Sequence, residues 1–159
     1  MKHLLITTIA AVVLVGTAFA DPIHDAARNG DLAGVQAELD KGVDVNEADI
    51  NFYNLAPLHY AAIHGQKEIA ELLIAAGADV SANTTTIGTP LHLVAFEGHK
   101  ENFKLLIAEG ADVNAIIVSG QYQGKTPLDL AIQLKRTETA NLLRKHGGKT
   151  GAELKAEGK

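Results

Sequence analysis

A stretch of 26 residues occurs twice in this chain, with the second copy displaced by 33 residues. Ala56 to Ser81 reads APLHYAAIHGQKEIAELLIAAGADVS and Thr89 to Asn114 reads TPLHLVAFEGHKENFKLLIAEGADVN, identical at 15 of 26 positions without a gap. A tandem repeat this short constrains the fold more than composition does, because one unit cannot bury its own apolar face and must stack on its neighbour. Within the second copy, Thr89 and Pro90 carry N-cap and first-turn chemistry. Leu91, Val94 and Ala95 follow at helical spacing, giving a narrow apolar face on a helix too short to stand alone. Gly98 supplies a left-handed stop, Phe103, Leu106 and Ile107 repeat the spacing on a second helix, and Gly110 closes it. The unit is a helix pair followed by an extended segment.

The motif TPLHxxAxxG followed by LLIxxGADVN resembles the ankyrin repeat family. PIHDAARNGDLAGVQAELDKGVDVN, from Pro22, resembles a first unit, and TPLDLAIQLKRTETANLLRKHG, from Thr126 to Gly147, a fourth. Asp129 stands where the family has His, and Lys135 where it has a helix-ending Gly. The resemblance implies an all-α solenoid of about four helix-turn-helix repeats with β-turn or hairpin connections. The units expected are approximately 21–48, 53–83, 86–116 and 123–148 in an array over 21–147, followed by a C-terminal capping helix and tail over 149–159. Thr150 and Glu153 fit a capping box that would start this helix at Gly151. Terminal units of such arrays face water on one side, and Asp25, Arg28 and Asn29 suit that place.

Residues 1–20 differ from the rest. Lys2 and His3 precede 17 uncharged residues ending in Ala18-Phe19-Ala20, the pattern of a secretory signal peptide cleaved before Asp21. A run containing three Thr and one Gly is short for spanning a bilayer core of roughly 30 Å. The expected product is exported, periplasmic or extracellular, without stable membrane insertion, and monomeric. Without Lys2 it carries 13 Lys and Arg against 19 Asp and Glu, net −6, which disfavours nucleic acid. Cysteine is absent, so stacking rather than disulfides must hold the array, and a thiol nucleophile or thiolate metal site is excluded.

The connections vary while the helical parts keep their length. Ten residues separate Asn46 from Pro57, eight separate Ser81 from Pro90, and twelve separate Asn114 from Pro127. They hold Ile50, Phe52 and Tyr53 in the first, Ile87 in the second, and Ile116, Ile117, Val118 and Tyr122 in the third. Apolar side chains in connecting segments either fold back on the neighbouring unit or form a docking edge for a partner.

Seven histidines invite a metal or catalytic reading. His24, His59 and His92 recur at one position of successive units, and metal ligands must converge rather than repeat. In the family this imidazole bonds neighbouring backbone and orders the turn, and no metal or other cofactor is expected. His99 and His146 have no evident partner in the sequence. The resemblance also places Arg28, Ile63, Phe96 and Gln133, and beside them Asn29, His64, Glu97 and Leu134, on the concave face. His64 and Glu97 would then be neighbours able to pair or exchange a proton. No nucleophile or Gly-rich phosphate loop accompanies them. The resemblance therefore implies a non-enzymatic scaffold that binds another protein through Ile50, Phe52, Tyr53, Ile87, Ile117, Val118 and Tyr122 at the tips and Ile63, His64, Phe96 and Glu97 on the concave face. An accessory or protective subunit of a periplasmic enzyme, or a small-molecule or catalytic site at His64 and Glu97, stands as the alternative.

Overall fold

The computed structural model describes residues 22–158, so the leader-like segment 1–20 lies outside the described residues. Helices come in antiparallel pairs: α1 (Pro22–Asn29) with α2 (Leu32–Asp40), α3 (Pro57–His64) with α4 (Lys67–Ala75), α5 (Pro90–Glu97) with α6 (Lys100–Ala108), and α7 (Pro127–Gln133) with α8 (Thr137–Lys145). A last helix, α9, runs Gly151–Ala156. Extended strands are absent among the described residues; the connections hold only the isolated antiparallel bridges Asp49 with Leu55 and Thr84 with Gly88.

Each of the four prolines opens the first helix of a pair, where a missing N–H leaves nothing unsatisfied. Gly65 (φ 67°) and Gly98 (φ 88°) end α3 and α5 in the left-handed region, and Lys135 takes the same conformation (φ 57°) in the fourth unit. The backbone path of the unit therefore dictates the turn even where the residue resists it. The apolar face of α5 is wider than spacing suggests. All residues from Leu91 to Phe96 are buried, as are Pro57 to Ile63 of α3, because each inner helix touches the units before and after it as well as its own outer helix. One apolar seam runs the length of the array through Leu58, Leu73, Leu91, Phe103, Leu106, Leu128 and Leu143. Leu73 and Leu106 fall at the same register in successive units, and both are buried.

The turns are stitched by side chains. Asn46 Nδ2 donates to Gly77 O (3.2 Å) and Asn46 Oδ1 accepts from Asp79 N (2.8 Å). Asn114 does the same to Gly147 O (3.1 Å) and Lys149 N (2.8 Å). At the C-terminal end Thr150 accepts from Glu153 N, and α9 buries Leu154 against the array while Arg144 pairs with Glu153 (2.8 Å). Thr150 and Glu153 repeat the relation of Thr126 to Asp129, so α9 starts with the same cap as the first helix of the fourth unit.

Candidate functional site

The connections project as fingers from a ladder of buried polar groups. His59 Nδ1 accepts from Ala56 N (3.1 Å) and its Nε2 donates to Gly88 O (3.3 Å), and His92 repeats this with Thr89 N (3.1 Å) and Lys125 O (3.3 Å). His24 Nε2 donates to Glu47 O (2.8 Å). Each imidazole thus fixes a finger by one backbone carbonyl. Burial depresses the pKa of both His59 and His92 to about 4, against the opposing pull of their backbone bonds, so both are neutral near pH 7. Asp129 keeps the capping half of the role, accepting from Thr126 N (3.0 Å), but it meets an N–H, that of Gly151 (2.8 Å), where the histidines meet a carbonyl. The departure from His thus suits the N–H that the start of α9 presents in place of a carbonyl.

The first finger is locked at its base and open at its tip. Asp49 is buried, accepts from the Tyr60 hydroxyl (2.7 Å) and from Asn51 N (3.0 Å), and donates its own N–H to Leu55 O (2.9 Å). Burial, and then the Asp49 carboxylate, hold the Tyr60 pKa well above the usual phenol value, so Tyr60 is a fixed donor. Between these anchors the chain turns through Tyr53 (φ 54°) and Asn54 (φ 56°), two successive non-glycine residues in the left-handed region. An aromatic residue there costs about 1–2 kcal/mol. Ile50 is 83% exposed and Tyr53 48% exposed, while Phe52 is half-buried.

The second finger closes on itself. Ile87 N and Gly88 N donate to Thr84 Oγ1 (3.1 and 3.2 Å), and Ile87 is half-buried against the main core.

The third finger differs from what its composition suggests. Ile117 is fully buried with Phe96 and Leu130, and Tyr122 and Leu134 cover this cluster. The Phe96 and Tyr122 rings meet edge to face at 6.4 Å. Ile117 N donates to Lys125 O (3.1 Å), Gly124 N to Ile117 O (2.8 Å) and Ser119 N to Thr85 O (2.9 Å), so the finger is tied to itself and to its neighbour. Gly88 leaves the space for it: a Cβ there would lie 2.7 Å from His92 Nδ1 and 2.9 Å from Ile117 Cγ1. Ile117 is therefore a core residue and leaves the set of partner-facing side chains. Val118 is 56% exposed, and Ile116 and Tyr122 are half-buried.

On the concave face, Ile63 and Phe96 are also buried and offer little side chain to a partner. His64 and Glu97 are half-buried, but they form no ion pair among the described residues, and the His64 Nε2 atom is buried without a partner. Burial, and then the Arg28 and His99 charges, lower the His64 pKa, which disfavours the alternative of a proton-exchanging pair with Glu97. His99 has a structural task after all, its Nε2 donating to Ile63 O (2.9 Å), and Arg136 Nε does the same to Phe96 O (2.9 Å) in the next unit. His146 meets the Phe103 ring edge to face. Among the described residues no group of His, Asp and Glu is placed to hold a metal ion, and no helix is long and apolar enough to cross a membrane.

Sequence reasoning missed Asp49, because an Asp in a ten-residue connection reads as solvent-facing. It also missed the Asn stitches, although Asn46 and Asn114 each stand four residues after the turn glycines Gly42 and Gly110.

A family model described as ankyrin repeats (3 copies) matches residues 16–84 and again 82–153. The chain is also similar to the palmitoyltransferase AKR1 of Debaryomyces hansenii, 38% identical over 60 residues; these are 38% of this chain and 7% of that protein's length. With helix pairs, finger turns and a histidine ladder all in the register of that family, and with its model matching nearly the whole described chain, this protein belongs to the ankyrin repeat family.

Proposed function

We propose that the chain is an exported, non-catalytic scaffold that binds another protein through the edge formed by its finger tips, with the first finger as the principal contact. The observation that supports this most is the tip of that finger. Ile50 and Tyr53 are held out to solvent on a turn with two successive left-handed residues, above a base that the buried Asp49–Tyr60 bond makes rigid. Strain at an exposed aromatic tip is the kind of local cost that a fold retains where recognition needs the side chain presented. Tyr is a frequent anchor of protein interfaces, and a rigid tip loses little entropy on docking. Val118 extends the apolar surface on the third finger.

The test is affinity capture of exported proteins on immobilised protein that begins at Asp21. The expected result is a stoichiometric partner whose capture falls at least tenfold, a change of about 1.4 kcal/mol, when Ile50→Ser and Tyr53→Ser are combined. Undiminished capture by that variant would remove the first finger from the interface. Export rests on residues 1–20, and N-terminal sequencing of exported material is expected to begin at Asp21; a chain retaining Met1 would refute it.

A further inference from the structure

The four units are not joined alike. Asn46 stitches the turn after α2 to the turn after α4, and Asn114 stitches the turn after α6 to the turn after α8, each with two hydrogen bonds. The equivalent residue at the middle joint, four after Gly77, is Ser81. A hydroxymethyl group there replaces the amide that makes both bonds at the other two joints. The Ser81 N–H bonds Asp79 Oδ1 (2.8 Å) just as Asn46 N bonds Asp44 and Asn114 N bonds Asp112, but among the described residues its side chain makes no bond to the third unit.

A further flaw lies on the same joint, and another close to it. Asn102 of α6 occupies the place that Ile69 holds one unit earlier; it is buried, donates to Ala61 O (3.1 Å) across the joint, and leaves its Oδ1 without a partner. His64, at the end of α3, leaves its buried Nε2 unpaired. The orphaned Asn102 Oδ1 thus lies on the joint that lacks the stitch. What remains is the apolar seam, the Asn102 bond to Ala61 O, the His99 bond to Ile63 O and the His59 bond to Gly88 O. Apolar contact is non-directional, and an unpaired buried acceptor favours whichever state gives it water.

The two sides of this joint also differ in what holds them. α2 buries only Val35 and has Gly34 in its interior, whereas α6 buries Phe103 and Leu106 and the far end is closed by α9. In a linear array, stability is a sum of unit and nearest-neighbour contributions, so a weak joint divides the molecule into separately opening parts. We propose that the first two units form a separable body, which opens from the third and fourth units at the Ser81–Asn102 joint before the chain unfolds as a whole. The first finger then moves with the looser body while the third stays with the firmer one.

Hydrogen exchange read by mass spectrometry at rising denaturant tests this on the protein as it is. Peptides of α1 to α4 are expected to exchange together through an opening more populated than that of α5 to α8. Ser81→Asn, which restores the surface stitch, and separately Asn102→Ile are expected to slow the α1 to α4 amides at least tenfold, about 1.4 kcal/mol. A single exchange isotherm shared by all the helices would overturn the proposal. Unchanged α1 to α4 exchange in the Ser81→Asn variant would overturn it as well, since the opening would then leave that joint intact. If Asn102→Ile fails to fold, the surface Ser81→Asn variant decides alone.

Discussion

The first and third fingers have similar apolar content and opposite fates. Both are long, both carry Ile and Tyr, and both leave a unit at the same register. The third turns Ile117 inward onto Phe96 and Leu130 and lays Tyr122 over them, while the first turns Ile50 and Tyr53 outward. The difference begins at the inner helices. Beside the third finger, α5 and α7 present Phe96 and Leu130, which need cover; beside the first, α3 presents Tyr60, whose hydroxyl claims Asp49 for a buried polar bond instead. An apolar residue in a connection is therefore spare for binding only when the helix beneath it asks for something polar.

The largest test of that comparison is truncation at each finger. Ile117→Ala is expected to lower stability by about 2–5 kcal/mol by leaving a cavity under Tyr122. Ile50→Ala should stay within about 0.5 kcal/mol, as for surface positions generally. Urea midpoints measured side by side check both, and equal shifts would erase the distinction.

Acid separates the fingers next. All three fingers hang from a histidine, the second and third from neutral His59 and His92, and the first adds to its His24 bond the lock of Asp49 with Tyr60. His59 and His92 each have a folded pKa of about 4 and an unfolded value near 6.5, so the unfolded chain binds more protons between those values. Stability is then fully present above pH 6.5 and falls as the pH drops to about 4, by about 1.4 kcal/mol per pH unit for each histidine. His92→Gln should remove its share of that slope in a pH series of denaturation midpoints. An unchanged slope would show that this imidazole is not held neutral by its burial.

A small effect of opposite sign is expected at the tip of the first finger. Tyr53→Gly removes a left-handed strain of about 1–2 kcal/mol and adds a glycine entropy cost of about 0.5–1 kcal/mol. The melting temperature should therefore rise slightly, by the equivalent of about 0.5–1 kcal/mol. A fall would mean that the Tyr53 ring contributes packing to the folded chain.

Much of this was legible in the sequence for a physical reason. The 33-residue displacement fixes which residues are equivalent, and equivalence carries the helix pairs, the buried Leu73 and Leu106, the turn glycines and the histidine ladder with it. Direction was not legible where equivalence ends. The fingers differ in length, so no register aligns Ile50 with Ile117, and each settles against whatever its own unit presents. The concave face misled for another reason: Ile63 and Phe96 are aligned correctly, but their burial depends on the neighbouring finger and helix, which the repeat pattern does not specify. Lys135 shows the converse, a sequence departure that the backbone of the array simply overrides.

The most direct measurement is a paired one, capture of the natural partner and thermal unfolding, made on Ile50→Ser/Tyr53→Ser and on Ile117→Ala and expressed per folded molecule. The account requires the first variant to lose at least tenfold in capture, about 1.4 kcal/mol, with its melting temperature unchanged, and the second to melt lower while capturing as well as the parent. The reverse pattern, a stable first variant that still captures and an Ile117→Ala protein that folds but no longer binds, would place the docking edge on the third finger and contradict it.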